Sequence, residues 1–357
     1  MAPAALITLL LLSVLVAATP TAALGGEPYV FPPTPPAPYP MEREAFLSAA
    51  SLRALLATNT TWTDSTRALT PDEIPPATPL SCGARVPDTD HTVRCDASAP
   101  LGGIVLEPPR RATTSIIFLH GGTDGPWIYH TLFRTFLRSA PTAFASVRWV
   151  FPIAPRYAST AAPFFLPNFH MWSDVTPLFG QALGRAVADN TTTVGGFEAA
   201  LTDPTAHYDA LGLFFTARRI DALVAAERRP LPRRRGKVLL FGHSLGAAAA
   251  TAVAAMSAPR VDGVVAAQGF LPGAASLLRL AAALPRPRRG GRIELVAGGT
   301  DPSSPPPLVD ASARVLRRVL GRAARVSYTL LPGVTHFSWV TPGRDADAMV
   351  GVLRRYL

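Results

Sequence analysis

The chain has 357 residues, 48% of them hydrophobic and 16% charged, which excludes a disordered, collagen-like or coiled-coil protein and leaves enough apolar material for one large domain or two ordinary ones. The formal charge is +10, from 34 basic and 24 acidic side chains, and Lys237 is the only lysine; so lopsided an arginine content weakens any argument from charge to partner. Two cysteines are too few for a disulfide-built scaffold or a cysteine metal cluster.

From the amino terminus, Ala4–Ala18 is almost continuously apolar and Thr21, Ala22 and Ala23 follow it. The run has the length of a signal-peptide core, so residues 1–23 are expected to be removed and the protein to be secreted or lumenal; the alternative is an uncleaved membrane anchor. Residues 24–100 read as a Pro/Thr-rich N-terminal extension. Within it, 28–40 is a polyproline II linker and 41–57 has near-helical apolar spacing. Asn59 and Asn190 each open an Asn-Thr-Thr glycosylation sequon. Cys82 and Cys95 flank a short turn-rich loop, and an exported chain would close it with a disulfide that adds about 2–3 kcal/mol.

From residue 101 to 357 strands and helices alternate. Strands are predicted at Ile104–Leu106, Ser115–Leu119, Val147–Phe151, Lys237–Phe241, Val261–Ala267, Arg292–Val296 and Val326–Leu331. They are short, β-branched and apolar on both faces, as strands covered on both sides should be. Helices are predicted at Trp127–Arg138, Tyr208–Arg228, Leu245–Met256, Leu308–Leu320 and Arg344–Tyr356. This order predicts an α/β protein: a mostly parallel sheet with helices on both faces, plus the N-terminal extension. Residues 176–206 have little periodicity and read as an inserted loop near the mouth of the site.

The chemistry is concentrated in three loops. Gly242-His243-Ser244-Leu245-Gly246 lies between the strand Lys237–Phe241 and an alanine-rich helix. A serine on a sharp strand-to-helix turn is lifted out of the sheet, and side chains two residues away on either side would clash; Ser244 is therefore the candidate nucleophile. Of seven histidines only His336 follows Ser244, on a loop past a strand end, where a general base is needed. The orienting acid should lie between them, among Asp262, Glu294, Asp301 and Asp310. Asp262 and Glu294 fall at or within strands and Asp310 in a first helical turn, whereas Asp301 sits on a glycine-rich loop past a strand; Asp301 is the choice and Asp310 the fallback. His120-Gly121-Gly122 follows another strand, so the N–H groups of Gly122 and Leu245 are the expected oxyanion donors. Trp127 and Trp172, with Phe164, Phe165 and Phe169, are candidates for the lining of an acyl pocket. No cofactor is expected, and no metal, since no HxxxH pattern or cysteine cluster occurs.

With these motifs on the page, residues about 115–356 resemble the phospholipase/carboxylesterase family that includes the acyl-protein thioesterases. The resemblance rests on IIFLHGGTDG (116–125), FPIAPRY (151–157), MWSDV (171–175), GHSLG (242–246), QGFLP (268–272), GGTDPSSPP (298–306) and LPGVTHFS (331–338). It implies an α/β-hydrolase fold and hydrolysis of carboxylic esters or thioesters bearing acyl chains. The chain departs from the family's usual pattern in having Leu245 where glutamine is usual, and in its leader, its extension and its long stretch after Asp174.

The expectation is a secreted serine hydrolase acting on small-molecule or lipid acyl esters through Ser244, His336 and Asp301; the alternative is a catalytically silent secreted binding protein of the same fold. The arginine-rich stretches 228–237 and 286–292 lie just before predicted strands, at the edge opposite the site. They suit solvated loops with weak attraction to anionic membranes and, lacking interleaved aromatics, argue against a nucleic-acid partner. Oligomeric state is not legible.

Overall fold

The computed structural model describes residues 83–86, 89–96, 103–122, 135–154, 156–157, 169–173, 193–203, 208, 210–233, 236–256, 261–280, 291–340 and 342–357. Eight of its strands form one sheet: β1 (Thr92–Asp96), β2 (Gly103–Glu107), β3 (Thr114–Leu119), β4 (Val147–Pro152), β7 (Lys237–His243), β8 (Gly263–Ala267), β9 (Gly291–Gly298) and β10 (Ala324–Leu331). Their spatial order is β1-β2-β4-β3-β7-β8-β9-β10. The pairs β1–β2 and β2–β4 are antiparallel, and every other pair is parallel. Two short strands, β5 (Arg156–Tyr157) and β6 (Phe169–His170), pair separately.

The central strands are apolar on both faces because both are covered. In β3, Ile117 and Leu119 enter one core while Ile116 and Phe118 enter the other; Val238 and Leu240 of β7 face the first, Leu239 and Phe241 the second. The helices are α1 (Pro141–Phe144), α2 (Val194–Thr202), α3 (Ala210–Arg228), α4 (Leu245–Met256), α5 (Ala274–Leu280), α6 (Pro306–Leu320) and α7 (Arg344–Arg354). Residues 135–139 are also helical. The first core takes side chains from α2 through α6, the second from 135–139, α1 and α7. The second is built around Phe136, whose ring stacks on Phe241 and Trp339 at centroid distances of 6.2 and 6.0 Å. Each such buried ring contributes about 1.5–3 kcal/mol by removal from water.

All seven predicted strands are present, to within two residues at each end. The sheet also takes in β1, from the segment read as N-terminal extension. Val93 of β1 and the nearby Val86 and His91 are buried, so the sheet begins before residue 101.

The loop expected over 176–206 is corrected in its second half, where 194–202 is helix α2. Thr193 accepts a hydrogen bond from Gly196 N at 3.1 Å and caps it. Phe197 and Leu201 enter the core, and Glu198 pairs with Arg318 of α6 at 2.6 Å. Gly195 and Gly196 disguise the helix, since glycine disfavours helical conformation.

Candidate active site

Strand β7 ends at His243 and α4 begins at Leu245, which leaves Ser244 alone in the turn between them. Ser244 has φ of 55°, a left-handed conformation that costs a non-glycine residue roughly 1–2 kcal/mol. Its neighbours hold it there: Ser244 N donates to Ala267 O at 3.0 Å, and Ser244 O accepts from Ala248 N at 3.0 Å. A Cβ on Gly242 would lie 2.2 Å from Gly246 O, and one on Gly246 would lie 2.0 Å from Leu119 O. Both glycines are thus required by close backbone approach. Helix α4 can press so near because most of its residues are alanine or glycine, and every residue from Gly246 to Met256 is buried.

The loops after β9 and β10 meet this corner. His336 Nε2 lies 3.0 Å from Ser244 Oγ, and His336 Nδ1 lies 2.7 Å from Asp301 Oδ2. The other Asp301 oxygen accepts from the backbone N–H groups of Ser303 and Ser304, at 2.8 and 3.1 Å. An ionised carboxylate only accepts, so Nδ1 carries the imidazole proton, Nε2 is the acceptor, and the serine hydroxyl donates. The two loops are tied together by Gly299 N to Leu331 O (2.8 Å) and Thr300 N to Val334 O (3.1 Å). Thr335 and Ser338 exchange side-chain-to-backbone hydrogen bonds across His336 at 3.0 and 3.2 Å, fixing the turn in the manner of a capping box. Asp301 and His336 are buried and Ser244 half-buried, so the hydroxyl is the member of the line that solvent reaches most readily.

Gly122 lies against the start of α4: a Cβ there would be 2.5 Å from Leu245 Cδ1. The preceding peptide is held from behind. His120 Nε2 accepts from Ala154 N at 3.0 Å, so the proton sits on Nδ1, which donates to Gly121 O at 2.7 Å. In a trans peptide the carbonyl and the following N–H point opposite ways. Capture of Gly121 O by His120 therefore turns the Gly122 N–H away from that ring. Leu245 N–H belongs to the first turn of α4, where no intrahelical acceptor exists and the helix dipole is positive.

Other expectations are corrected or fall elsewhere. Trp172, expected at the acyl pocket, is only 1% exposed. Its Nε1 donates to His120 O at 2.9 Å and its ring packs on that histidine at 5.1 Å, so it braces the loop from the core side. The competing acids are engaged away from His336. Asp262 accepts from Arg228 and from Val238 N at 2.6 and 2.8 Å. Glu294 bonds Arg355, Tyr356 and Thr329, and Asp310 pairs with Arg314 at 3.4 Å. Trp127, Phe164, Phe165, Cys82, Asn59 and Asn190 lie outside the described residues, as does the leader.

Two residues here lie in motifs quoted from the sequence but had no role assigned to them. His243 is fully buried, its Nε2 lies 3.0 Å from His336 O, and its ring sits 4.8 Å from that of His336. Burial first, and the His336 charge second, hold its imidazole well below the usual histidine range. Gln268, directly after β8, also has φ of 55° and is fully buried. Among the described residues no group of three or more His, Cys, Asp or Glu is arranged to hold a metal, and no helix is long and apolar enough to cross a membrane.

No family model matches the chain, and no curated protein matches it in sequence. Solved structures do. A single-substitution variant of SOBER1 from Arabidopsis thaliana aligns with a TM-score of 0.50 at 16% identity, over 68% of this chain and 96% of that one. Acyl-protein thioesterase 2 from Zea mays aligns at 0.48 and 20% identity, over 71% of this chain and 97% of that one. A phospholipase/carboxylesterase from Dyadobacter fermentans aligns at 0.43 and 17% identity, over 70% and 94%. At 16% identity the likeness to the SOBER1 variant is one of fold alone, and with the strand order above it gives the chain the α/β-hydrolase fold.

Proposed function

We propose that this chain is a serine hydrolase that cleaves carboxylic esters through an acyl-enzyme. The observation that carries the reading is the continuous hydrogen-bonded line from Ser244 Oγ through the His336 ring to Asp301, which starts at a strained corner beside a helix N-terminus. Ser244 Oγ attacks the ester carbonyl carbon while His336 Nε2 takes its proton. Asp301 holds the imidazole in the reactive tautomer and stabilises the imidazolium. The carbonyl oxygen gains its charge facing the N–H groups of Gly122 and Leu245. His336 then returns the proton to the leaving alcohol, and water activated by the same imidazole hydrolyses the acyl-enzyme. Preorganised donors of this kind are worth about 3 kcal/mol each in the transition state.

The finer reading is an exported enzyme, glycosylated at Asn59 and Asn190, bridged from Cys82 to Cys95, and acting on acyl esters or thioesters. Glycosidase-sensitive mass and an absence of titratable thiols in the secreted protein would support the export part. The activity itself is tested with p-nitrophenyl esters from acetate to palmitate, beside a lysophospholipid and an acyl-thioester. Turnover of at least one, falling on the order of 10⁵- to 10⁶-fold in Ser244→Ala, is the expected result. A folded wild-type protein inert toward all of them would favour the binding-protein alternative.

A further inference from the structure

We propose that Gln268 is a positioning residue for the reaction, because its amide grips the histidine loop at two points and sets where His336 stands relative to Ser244. The inference rests on the serine-hydrolase reading above. Among the described residues, Ser244 and Gln268 are the only non-glycines with positive φ, and they adjoin. Ser244 N donates to Ala267 O, the carbonyl just before Gln268, at 3.0 Å. A side chain at such a φ is uncommon, and glycine would sit there with less strain. The amide that occupies the place is fully buried and uses both of its ends. Nε2 donates to Thr335 O at 2.6 Å, on the residue before His336. Oε1 accepts from Trp339 Nε1 at 2.5 Å, three residues after it.

These two bonds assign the amide without ambiguity, since a carbonyl can only accept and an indole N–H can only donate. The amide also lies over the root of the acid loop, where a Cβ on Gly298 would be 2.4 Å from Gln268 Nε2 and 3.2 Å from Asp301 Cβ. One side chain, rooted at the end of β8 beside the serine corner, therefore references the histidine loop to both its partners. The consequence is kinetic. Loss of the grip leaves the substrate surfaces in place and lets His336 drift from Ser244, so kcat falls while KM stays.

The isosteric variant Gln268→Glu tests this with a readout that packing alone does not move. A protonated carboxyl still donates to Thr335 O and accepts from Trp339. An ionised one sets a carboxylate oxygen against the Thr335 carbonyl. The charged or titratable neighbours are His336, His243 and Asp301, and because a new carboxylate shifts their titration the full kcat–pH profile of each protein is measured and the ratio is read between the two profiles. The expected ratio is about threefold or less at pH 5.5 and rises to 30-fold or more by pH 8.5, with KM within about threefold of wild type, as burial raises the pKa of the new carboxyl into this range. A ratio that does not change with pH, whether near one or large, overturns the proposal. Should that variant not fold, Trp339→Phe removes the second bond together with part of a buried ring that also packs on Phe136 and Phe241; a kcat drop of about fivefold at unchanged KM in the folded variant supports the grip, and an unchanged kcat overturns it. Covalent labelling of Ser244 in the wild-type protein separates the two failures: labelling with a flat ratio sinks the role of Gln268 and leaves the hydrolase reading intact.

Discussion

Asp301 shows how little freedom a single side chain has in this site. One of its oxygens is held by two backbone N–H groups and the other faces the His336 ring. Asp301→Asn keeps the shape and the backbone bonds on Oδ1 but turns the other end into an amide donor, which favours the wrong imidazole tautomer. We expect kcat for ester hydrolysis to fall about 10⁴-fold with little change in the thermal unfolding midpoint. A loss below tenfold would show that His336 is oriented by something else. Gly246 makes the complementary case for shape. A Cβ there meets two backbone oxygens, those of Leu119 and His120, at 2.0 and 2.5 Å, and neither strand nor loop can yield cheaply. Gly246→Ala should destabilise the protein by about 2–3 kcal/mol in denaturant unfolding. At Gly122 the corresponding contact is the tip of the flexible Leu245 side chain, so Gly122→Ala should be tolerated far better.

At the scale of elements, the turn from β7 into α4 carries its own pH dependence. The His243 imidazole is buried beside His336 and resists protonation, and His91 is held below the usual range by burial as well. The unfolded chain takes up protons on these residues near pH 6.5, where the folded one does not. Their contribution is therefore complete above about pH 6.5 and is lost as pH falls below it, at up to about 1.4 kcal/mol per pH unit for each proton. Denaturant unfolding at pH 5, 6, 7 and 8 should show that decline, and His243→Gln should make it shallower; an unchanged slope in the variant would contradict the assignment. The elements around this turn were largely legible. KVLLF before GHSLG and an alanine run after it specify strand, corner and helix by local chemistry alone, and helix Leu245–Met256 has the predicted bounds. The loop positions of Asp301 and His336 followed from their place after apolar runs. Three of the features that were not legible have a clear physical reason. Helix α2 hides behind Gly195 and Gly196. Strand β1 is short, and it turns Thr92 and Arg94 to solvent while Val93 is buried, so it lacks the two-faced apolar run that marks the central strands. The grip of Gln268 exists only because β8 and a loop 67 residues later are brought together, and no periodicity encodes that meeting.

Among the described residues, several charged contacts sit at the end of the sheet away from the chemistry. Lys237, at the start of β7, donates to the backbone oxygens of Tyr356 and Leu357 at 3.0 and 2.6 Å. Ser244 lies just past the other end of the same strand, roughly 20 Å away. At the starts of β3 and β4, Glu227 accepts from Ser115 Oγ at 2.7 Å and from Arg148 Nε at 2.8 Å, and Arg148 also contacts Glu107. Glu227→Ala strips a mostly buried guanidinium of one of its two carboxylates. We expect a loss of about 3 kcal/mol of stability with kcat unchanged once the protein is folded. A large loss of kcat in that folded variant would mean the two ends of the sheet are coupled. The central claim concerns the opposite end, and covalent trapping tests it most directly: treat the folded protein with a fluorophosphonate and locate the adduct by peptide mass spectrometry. The account predicts one adduct, on Ser244, forming far more slowly in His336→Ala; an adduct on another residue, or none on a folded protein, would contradict it.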